Sequence, residues 1–321
     1  MKKVIFINFV ILIFIILLLE IFANVFKLSG LMGIQSGLLY DRNGIHYLTP
    51  GSTGKVFNKK VFIDKYGYRA PNVNYNYVGK KNVLIIGDSQ TFGNGVLEEE
   101  SFVGILRNNF KNVNFFNSSV PGYQIKHHRE NLKRTKNFDN LEKIIYFFTL
   151  NDVFDLSNLV TTKENVIKEG DSELKKIRII NFLNSFLRDK SYLYMYLKGV
   201  ASDPSKRWYQ SVDNFYSSKD ISLISNYFQE LKIFSEKYNS ELYVVVLPYE
   251  YQTRSCTQDD FKPQKKIAKM LVKSKIKFFD FSNEFCNHDN PKQYFYKFDM
   301  AHFSVLGHNL IHRLINEKIN F

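Results

Sequence analysis

Short apolar runs alternate with amphipathic segments from residue 82 onward, and this alternation is the strongest constraint on the fold. The apolar runs predict strands at 83–87, 113–117, 143–149, 241–247 and 276–281. The amphipathic segments predict helices at 99–110, 123–136, 221–238, 263–273 and 305–318. Strands that alternate with helices are typical of right-handed crossover units in a parallel sheet. We therefore predict a doubly wound α/β domain with five parallel strands.

An apolar segment near the N-terminus is long enough to cross a membrane. The segment from Val4 to Phe26 contains three polar residues and follows two lysines. A hydrocarbon core of ~30 Å needs about 20 apolar residues in a helix. A cleavable signal peptide is the alternative, but only Ala23 fits the small-residue pattern of a cleavage site. We expect an uncleaved signal anchor over residues 1–27. It would be a single pass of the cell membrane, with the rest of the chain outside the cytoplasm.

Two stretches lie outside the alternation. Residues 28–81 are rich in turn-forming residues and have short possible strands at 55–57 and 61–63, which predicts an extracytoplasmic extension. Residues 152–219 are an insertion in the domain over 82–321, with a predicted helix at 173–187 and aromatic residues around the single tryptophan, Trp208. These aromatic residues can stack on sugar rings or pack the insertion onto the domain. Packing is the favoured interpretation.

The net charge of +13 does not by itself indicate a nucleic-acid partner. The lysines are scattered singly or in pairs and form no dense patch. We interpret the excess as a solvated surface and expect no nucleic acid to bind.

The two cysteines, Cys256 and Cys286, each follow a predicted strand. In a domain outside the cytoplasm they can be oxidised to a disulfide. Two free thiols are the alternative, and the pattern does not choose between them.

Polar residues follow several predicted strands at the same edge of the sheet. Ser89 comes directly after the first strand, in the sequence Gly-Asp-Ser, and Gly122 and Asn151 follow the next two. Asp299 and His302 precede the last helix. A Gly-Asp-Ser tripeptide alone is typical of a turn. Because ligands of open α/β sheets bind beyond the carboxyl ends of the strands, these residues together indicate a site.

Acyl transfer by a serine needs a base, an acid that orients the base, and donors for the oxyanion. We select His302 as the base, with Asp299 holding one ring nitrogen while the other faces Ser89. The candidate oxyanion donors are the backbone N–H groups of Ser89 and Gly122 and the side-chain amide of Asn151. A loop role for Gly122 and a turn or cap role for Asn151 are the alternatives.

The other histidines receive no role. His308 and His312 lie one helical turn apart on what looks like the outer face of the last helix, with no third metal ligand. His127 and His128 have no acidic neighbour at useful spacing, and His46 lies in no motif. We expect no cofactor and no metal ion.

These motifs resemble the successive blocks of the SGNH/GDSL hydrolase family over about residues 82 to 319. The motifs are Gly87-Asp88-Ser89, Gly122, Asn151-Asp152 and Asp299-x-x-His302. The resemblance implies a flavodoxin-like three-layer sandwich, with Ser89 as nucleophile and the other residues in the roles given above. It also implies an ester or acyl group as the reacting bond. Gln90 and Thr149 replace a leucine and a glycine that are common in the family.

We therefore expect a serine esterase that removes small acyl groups, with acetyl as the expected group, from a cell-envelope glycan through an acyl-enzyme. Transfer of the acyl group onto a glycan by the same residues is one alternative. A non-catalytic glycan-binding envelope protein is another, and it is disfavoured because every catalytic group is present. Activity is expected to rise as His302 loses its proton, near pH 6 to 7 from an ordinary pKa of about 6.5.

Overall fold

Two β-sheets are present in the computed structural model, which describes residues 2–134, 140–156, 184, 186–218 and 221–321. The smaller is a hairpin of β1 (Leu39–Arg42) and β2 (Ile45–Leu48). The larger contains β3 (Thr53–Val56), β4 (Lys59–Ile63), β5 (Arg69–Ala70), β6 (Lys81–Ile86), β7 (Val113–Asn117), β8 (Leu141–Phe148), β9 (Glu241–Val246) and β10 (Lys277–Asp280).

The larger sheet has the strand order β10-β9-β8-β6-β7-β5-β4-β3. Strands β6 to β10 are parallel to their neighbours, which confirms the predicted parallel sheet. Counted from β6, their order is 2-1-3-4-5, the order of flavodoxin-like folds. The order reverses between β6 and β8. The crevice beyond the carboxyl ends of these two strands is where such sheets bind ligands.

The described part of the chain contains ten α-helices. They are α1 (Lys2–Val25), α2 (Ser89–Phe92), α3 (Phe102–Asn109), α4 (Ile125–Arg134), α5 (Tyr192–Ser202), α6 (Pro204–Ser218), α7 (Leu223–Lys237), α8 (Lys262–Lys273), α9 (Ser282–Cys286) and α10 (Val305–Lys318). The helix predicted at 173–187 lies almost entirely outside the described residues.

Successive side chains of the central strands enter two separate cores, because neighbouring residues of a strand point to opposite faces. Leu84 and Ile86 of β6 lie in the core that also holds residues of α4, α6, α7 and α8. Val83 and Ile85 lie in the core with residues of α3, α9 and α10. The molecule is therefore a mixed α/β sandwich of three layers.

The extension before residue 82 adds three antiparallel strands to the sheet. β5 pairs with β7 at Arg69 and Asn117, and β4 and β3 follow outward. A third core joins this region to α2, with Phe57, Phe92 and Tyr123 among its buried members. The extension thus reaches the helix that begins at Ser89.

The aromatic residues of α6 pack into the domain. Trp208 contacts Phe154 at 5.6 Å between ring centroids. Tyr209 is buried and its hydroxyl donates to the backbone oxygen of Asp260 at 2.6 Å. Tyr216 is also buried. The packing interpretation is confirmed for this helix.

Cys256 and Cys286 form a disulfide. The bond joins the chain after β9 to α9, which follows β10. The sequence left the pairing open, and the structure contains it.

Helix α1 is long and apolar enough to cross a membrane. Its large apolar side chains are exposed along its length, and Ala23 is its buried residue. Only the end of the helix therefore packs against the rest of the chain.

Candidate active site

Helix α2 places Ser89 at the carboxyl edge of the sheet. It begins at Ser89, directly beyond β6, and the side chain of Asp88 caps it by accepting the backbone N–H of Gln90 at 2.9 Å. The helix ends after one turn at Gly93, whose φ of 89° lies in the left-handed region that favours glycine. This short helix follows the strand at which the sheet order reverses.

The structure brings Ser89, His302 and Asp299 together. Nε2 of His302 lies 2.8 Å from Oγ of Ser89. Nδ1 of His302 donates to Oδ2 of Asp299, and the backbone N–H of His302 donates to the same oxygen at 3.2 Å. Asp299 and His302 are buried. One carboxylate oxygen therefore orients both the ring and the backbone of the histidine.

The charges around His302 favour its protonated form. Burial lowers the pKa of His302, whereas the carboxylates of Asp299 and Asp88 raise it, and the net shift is upward. The neutral ring can accept the hydroxyl proton of Ser89 on Nε2. The imidazolium that results is stabilised by the carboxylate on Nδ1.

Gln90 connects α2 to the loop that carries His302. Its side chain is buried, and Nε2 donates to the backbone oxygen of Ala301 at 2.7 Å. A leucine at this position would have no donor for that carbonyl. Gln90 therefore holds the loop of His302 against the helix that begins at Ser89.

Phe57 packs against the histidine from the turn between β3 and β4. Its ring lies 4.9 Å from the His302 ring in an edge-on arrangement. Phe57 and Asn58 both have positive φ, 49° and 61°, as the two-residue hairpin turn requires. The extension therefore supplies part of the wall around His302.

The side chain of Asn151 is held by two partners. Tyr249 donates its hydroxyl to Oδ1 of Asn151 and accepts the backbone N–H of Asn151 at 3.0 Å. Nδ2 of Asn151 donates to Oδ2 of Asp88 at 3.4 Å. Burial raises the pKa of Tyr249, so its hydroxyl stays protonated and remains a donor. The amide oxygen is thus occupied by Tyr249, and the amide nitrogen faces the residue before Ser89.

Gly122 lies in a loop held beside the Ser89 turn. The backbone N–H of Val120 donates to the oxygen of Gly87 at 3.2 Å. Nε2 of His46 donates to the oxygen of Pro121 at 2.9 Å. Gly122 has a φ of 81°, and within the described residues its backbone N–H has no acceptor. The loop therefore presents a free donor at a position that a side chain would strain.

Asp152 accepts several hydrogen bonds beneath this edge of the sheet. It is fully buried and accepts the hydroxyls of Tyr146 at 2.6 Å and Thr149 at 2.8 Å. Nε2 of His128 lies 3.7 Å away, so this histidine has an acidic neighbour that the local sequence did not indicate. Burial and the charge of Asp152 raise the pKa of Asp88 to about 6. Thr149 thus helps to hold the carboxylate of Asp152 in place.

Two buried arginines support the loop after α2. Arg69 donates to the backbone oxygens of Gly93 and Val96 at 2.7 and 2.8 Å. Glu98 lies between Arg69 and Arg107 and pairs with both. Burial lowers the pKa of Arg69 to about 9. The extension therefore fixes the helix of Ser89 through β5 as well as through Phe57.

The prediction that His308 lies on the outer face of the last helix is wrong. It is fully buried, its Nδ1 accepts the backbone N–H of Phe102 at 3.4 Å, and its pKa falls to about 3 because of burial. The reason is that α3 covers this face of α10. His312 is half-buried, with Nε2 3.0 Å from the side-chain nitrogen of Asn109.

Three side chains of the site were missed from the sequence. Nδ2 of Asn94 lies 3.5 Å from Nε2 of His302, and glycines on both sides of this buried asparagine were a signal of a tight loop. Tyr249 follows β9, so the rule that identified the other strand ends would have included it. Phe57 had no sequence signal.

A cavity of about 540 Å³ lies behind the side chains that surround His302. Phe57 and Tyr296 line it, and the backbone N–H of Tyr296 donates to the oxygen of His302 at 2.7 Å. Its other lining residues include Lys27, from the chain just after α1, and Tyr192 of α5. One layer of side chains therefore separates this cavity from His302.

No family model matches the chain, and no curated protein matches it. Solved structures of similar proteins include a member of the lipolytic protein G-D-S-L family from Veillonella parvula. That structure is 13% identical, covers 74% of this chain and 98% of its own, and has a TM-score of 0.46. A lipase/acylhydrolase from Enterococcus faecalis is 14% identical over 75% of this chain and 97% of its own, with a TM-score of 0.42.

A catalytic mutant of an acetylxylan esterase from Geobacillus stearothermophilus is 13% identical over 77% of this chain and 97% of its own, with a TM-score of 0.45. The structures similar to this chain thus include GDSL lipolytic proteins and acetylxylan esterases.

Proposed function

We propose that the protein is a serine esterase in which Ser89 is the nucleophile, His302 the base and Asp299 the orienting acid. The observation that carries this proposal is the contact of Nε2 of His302 with Oγ of Ser89 at 2.8 Å, while Nδ1 is held by Asp299. A serine becomes nucleophilic when a base within hydrogen-bond reach takes its proton. This arrangement is the one that such a reaction requires.

In the first half of the reaction, His302 takes the hydroxyl proton as Oγ of Ser89 attacks the ester carbonyl. The negative oxygen of the tetrahedral intermediate accepts hydrogen bonds from the N–H groups of Ser89 and Gly122 and from Nδ2 of Asn151. His302 then returns the proton to the leaving alcohol, and an acyl-enzyme remains. In the second half, His302 activates water in the same way, and the carboxylic acid is released.

The oxyanion donors are supported by their surroundings. Tyr249 holds Asn151 by its oxygen, which leaves the nitrogen as the donor. A side-chain amide in this role contributes about 3 kcal/mol to transition-state stabilisation in other serine enzymes. The N–H of Ser89 belongs to the first turn of α2, where helical N–H groups have no intrahelical acceptor.

The proposed substrate is a small acyl ester, with acetyl as the acyl group, on a cell-envelope glycan. Phe57 and Asn94 contact His302 closely, which supports a small acyl group. The exposed apolar α1 supports anchorage in the membrane through Val4 to Phe26. The disulfide supports a domain in an oxidising compartment outside the cytoplasm.

The test uses full-length protein in detergent with p-nitrophenyl acetate, with and without a glycan acceptor. Ser89→Ala should lower kcat by about 10⁴-fold or more, because the nucleophile is lost. Ser205→Ala, at a buried serine in α6, is the matched control and should leave kcat unchanged. Equal rates for Ser89→Ala and wild type would contradict the proposal. Accumulation of acetylated glycan in place of free acetate would show that the protein transfers the acyl group rather than hydrolysing the ester.

A further inference from the structure

The only carboxylate of α1 is used to cap another helix. Oε1 of Glu20 accepts the backbone N–H of Tyr192 at 2.7 Å. Oε2 accepts the hydroxyl of Ser191 at 2.6 Å and the N–H of Leu193 at 3.2 Å. These groups form the N-terminus of α5, where a negative charge is favourable. Glu20 therefore joins α1 directly to α5.

The chain after α1 strengthens this junction. Oγ of Ser29 donates to the backbone oxygen of Tyr192 at 2.7 Å. The N–H of Met32 donates to the oxygen of Arg188 at 2.9 Å. The start of α5 and the residues before it are thus bound both by Glu20 within α1 and by the chain that follows α1.

The length of α1 sets the depth of this junction in a membrane. A helix rises about 1.5 Å per residue, so a hydrocarbon core of ~30 Å takes up about 20 residues. Counted from Val4, these residues end at Ala23. Glu20, three residues before Ala23, and the N-terminus of α5 that it caps then lie within one helical turn of the level where the hydrocarbon gives way to the head groups.

Helix α5 has one buried face and one apolar exposed face. Met195 and Gly199 are buried on the inner face, and a Cβ at Gly199 would meet the side chain of Phe298 at 2.4 Å. On the opposite face, Leu197 and Val200 are 56% and 61% exposed. Leu193 lies on the same stripe at helical spacing, and its N–H is bound to Glu20. The apolar stripe therefore begins at α1.

The surroundings of this stripe match a membrane surface. Lys27, Lys190 and Lys198 lie around α5. The carboxylates beside it are Glu20 and Asp189 at its start, the latter 3.8 Å from Lys190, and Asp203 at its end, which pairs with Arg254. Half-buried tyrosines line the helix at 192, 194 and 196. Tyrosine and long basic side chains are the residues that favour the boundary between lipid and water.

We propose that α5 lies in the membrane interface, with Leu193, Leu197 and Val200 in contact with the lipid bilayer that α1 crosses. The occupant of this stripe is lipid, because the stripe is continuous with the exposed apolar surface of α1 and lies at the depth where the hydrocarbon ends. An apolar helix face bordered by basic residues binds such a surface through its buried apolar area and its charge.

The test reconstitutes the full-length protein in phosphatidylcholine vesicles with an environment-sensitive fluorophore on one introduced cysteine. The native cysteines are paired in the disulfide and do not take the label. Val200→Cys reports on α5. Val272→Cys is the matched control, since this valine of α8 is 65% exposed. Quenching is measured with spin-labelled lipid and, separately, with aqueous iodide.

The label at 200 should emit at shorter wavelength than the label at 272. It should be quenched several-fold more by spin-labelled lipid and several-fold less by iodide. Equal quenching by iodide at the two positions would overturn the proposal. Protection of position 200 from both quenchers would show that protein, and not lipid, covers the label. If that protection increased with the protein-to-lipid ratio, the covering protein would be a second copy of this chain. Either result would also overturn it.

The inference rests on the membrane anchorage proposed above, and the two fail in different ways. If α1 does not insert, the protein does not float with the vesicles in a density gradient. If α1 inserts and α5 stays in water, the protein floats but iodide quenches the label at 200. Ester hydrolysis is not part of the readout, so an inactive protein would still test the proposal.

Discussion

The two sides of Ser89 are built in different ways. On the side of the proposed base, Asp299 and His302 are three residues apart, and one turn brings the carboxylate to the ring. On the side of the proposed oxyanion donors, Asn151 is held by Tyr249, 98 residues later. The loop of Gly122 is held by His46, which bonds to a residue 75 positions later. A local motif thus pairs His302 with Asp299, whereas only long-range contacts hold Asn151 and the loop of Gly122.

One buried carboxylate connects the two sides. Asp88 accepts Nδ2 of Asn151, and its charge contributes to the raised pKa of His302. The comparison predicts that variants on the base side abolish the reaction, whereas variants of the distant supports on the oxyanion side slow it in smaller steps.

After the loss of Ser89 itself, the largest effect is expected from Asp299→Asn. This change removes the carboxylate that sets the tautomer of His302, and it should lower kcat by about 10⁴-fold, as it does in a comparable triad. In wild type, activity should rise with pH through the pKa of His302, which lies above its ordinary value. The inflection should move to lower pH in the variant, since Asp299 raises that pKa.

Rates of p-nitrophenyl acetate hydrolysis from pH 5 to 9 measure both effects. Asp289→Asn, at an exposed aspartate, is the control. An inflection at the wild-type pH in the variant would show that Asp299 does not raise the pKa of His302.

Asp88→Asn should raise stability at neutral pH. The pKa of Asp88 is raised from 3.8 to about 6, so the folded protein binds this proton more tightly than the unfolded chain does. Stability from this group is therefore present at low pH and is lost as pH rises from about 4 to 6. The ionised carboxyl then costs at most about 3 kcal/mol, and the neutral amide avoids this cost.

Urea unfolding of the full-length protein, followed by the fluorescence of Trp208, measures this difference at pH 4 and pH 8. The variant should be more stable at pH 8 and equal to wild type at pH 4. It should also show a lower pKa for His302, because Asp88 raises it. The same stability difference at both values would show that ionisation of Asp88 is not the cause.

Tyr249→Phe should lower kcat on the order of tenfold, the cost of about 1.4 kcal/mol for one positioning hydrogen bond. KM should change little, because Tyr249 acts on the transition state through Asn151. Tyr216→Phe is the matched control. That tyrosine is also buried, and within the described residues its hydroxyl has no hydrogen-bond partner. Equal losses in the two variants would show a packing effect alone.

The smallest effect is expected from His46→Ala. It removes the donor to the oxygen of Pro121 and should lower kcat about threefold, within the range for one hydrogen bond. His46→Gln offers an amide N–H the same number of bonds from Cβ, on a more flexible side chain, and should restore part of the rate. An unchanged kcat in the alanine variant would show that the loop of Gly122 holds its shape without His46.

The parallel strands were predictable because each is a short apolar run bounded by turns, and Ser89 could be placed because it directly follows one of them. Asp299 and His302 could be paired because their spacing fits one turn. Phe57 and His46 could not be placed. The pairing of β5 with β7 involves one residue on each strand, and no pattern in the extension specifies it. The outer position expected for His308 failed because helical spacing does not show that α3 covers that side.

The Glu20 junction fixes a distance as well as an orientation. A flexible linker would let a tethered domain sample a volume that grows with linker length. Here the hydrogen bonds of Glu20 and Ser29 leave no free linker between α1 and the domain. With α1 inserted as proposed, these bonds would hold Ser89 at a constant height above the bilayer. The protein would then act only on esters within a thin layer parallel to the bilayer, whereas a flexible tether would let it act throughout a larger volume. Esters outside that layer would have to move to it.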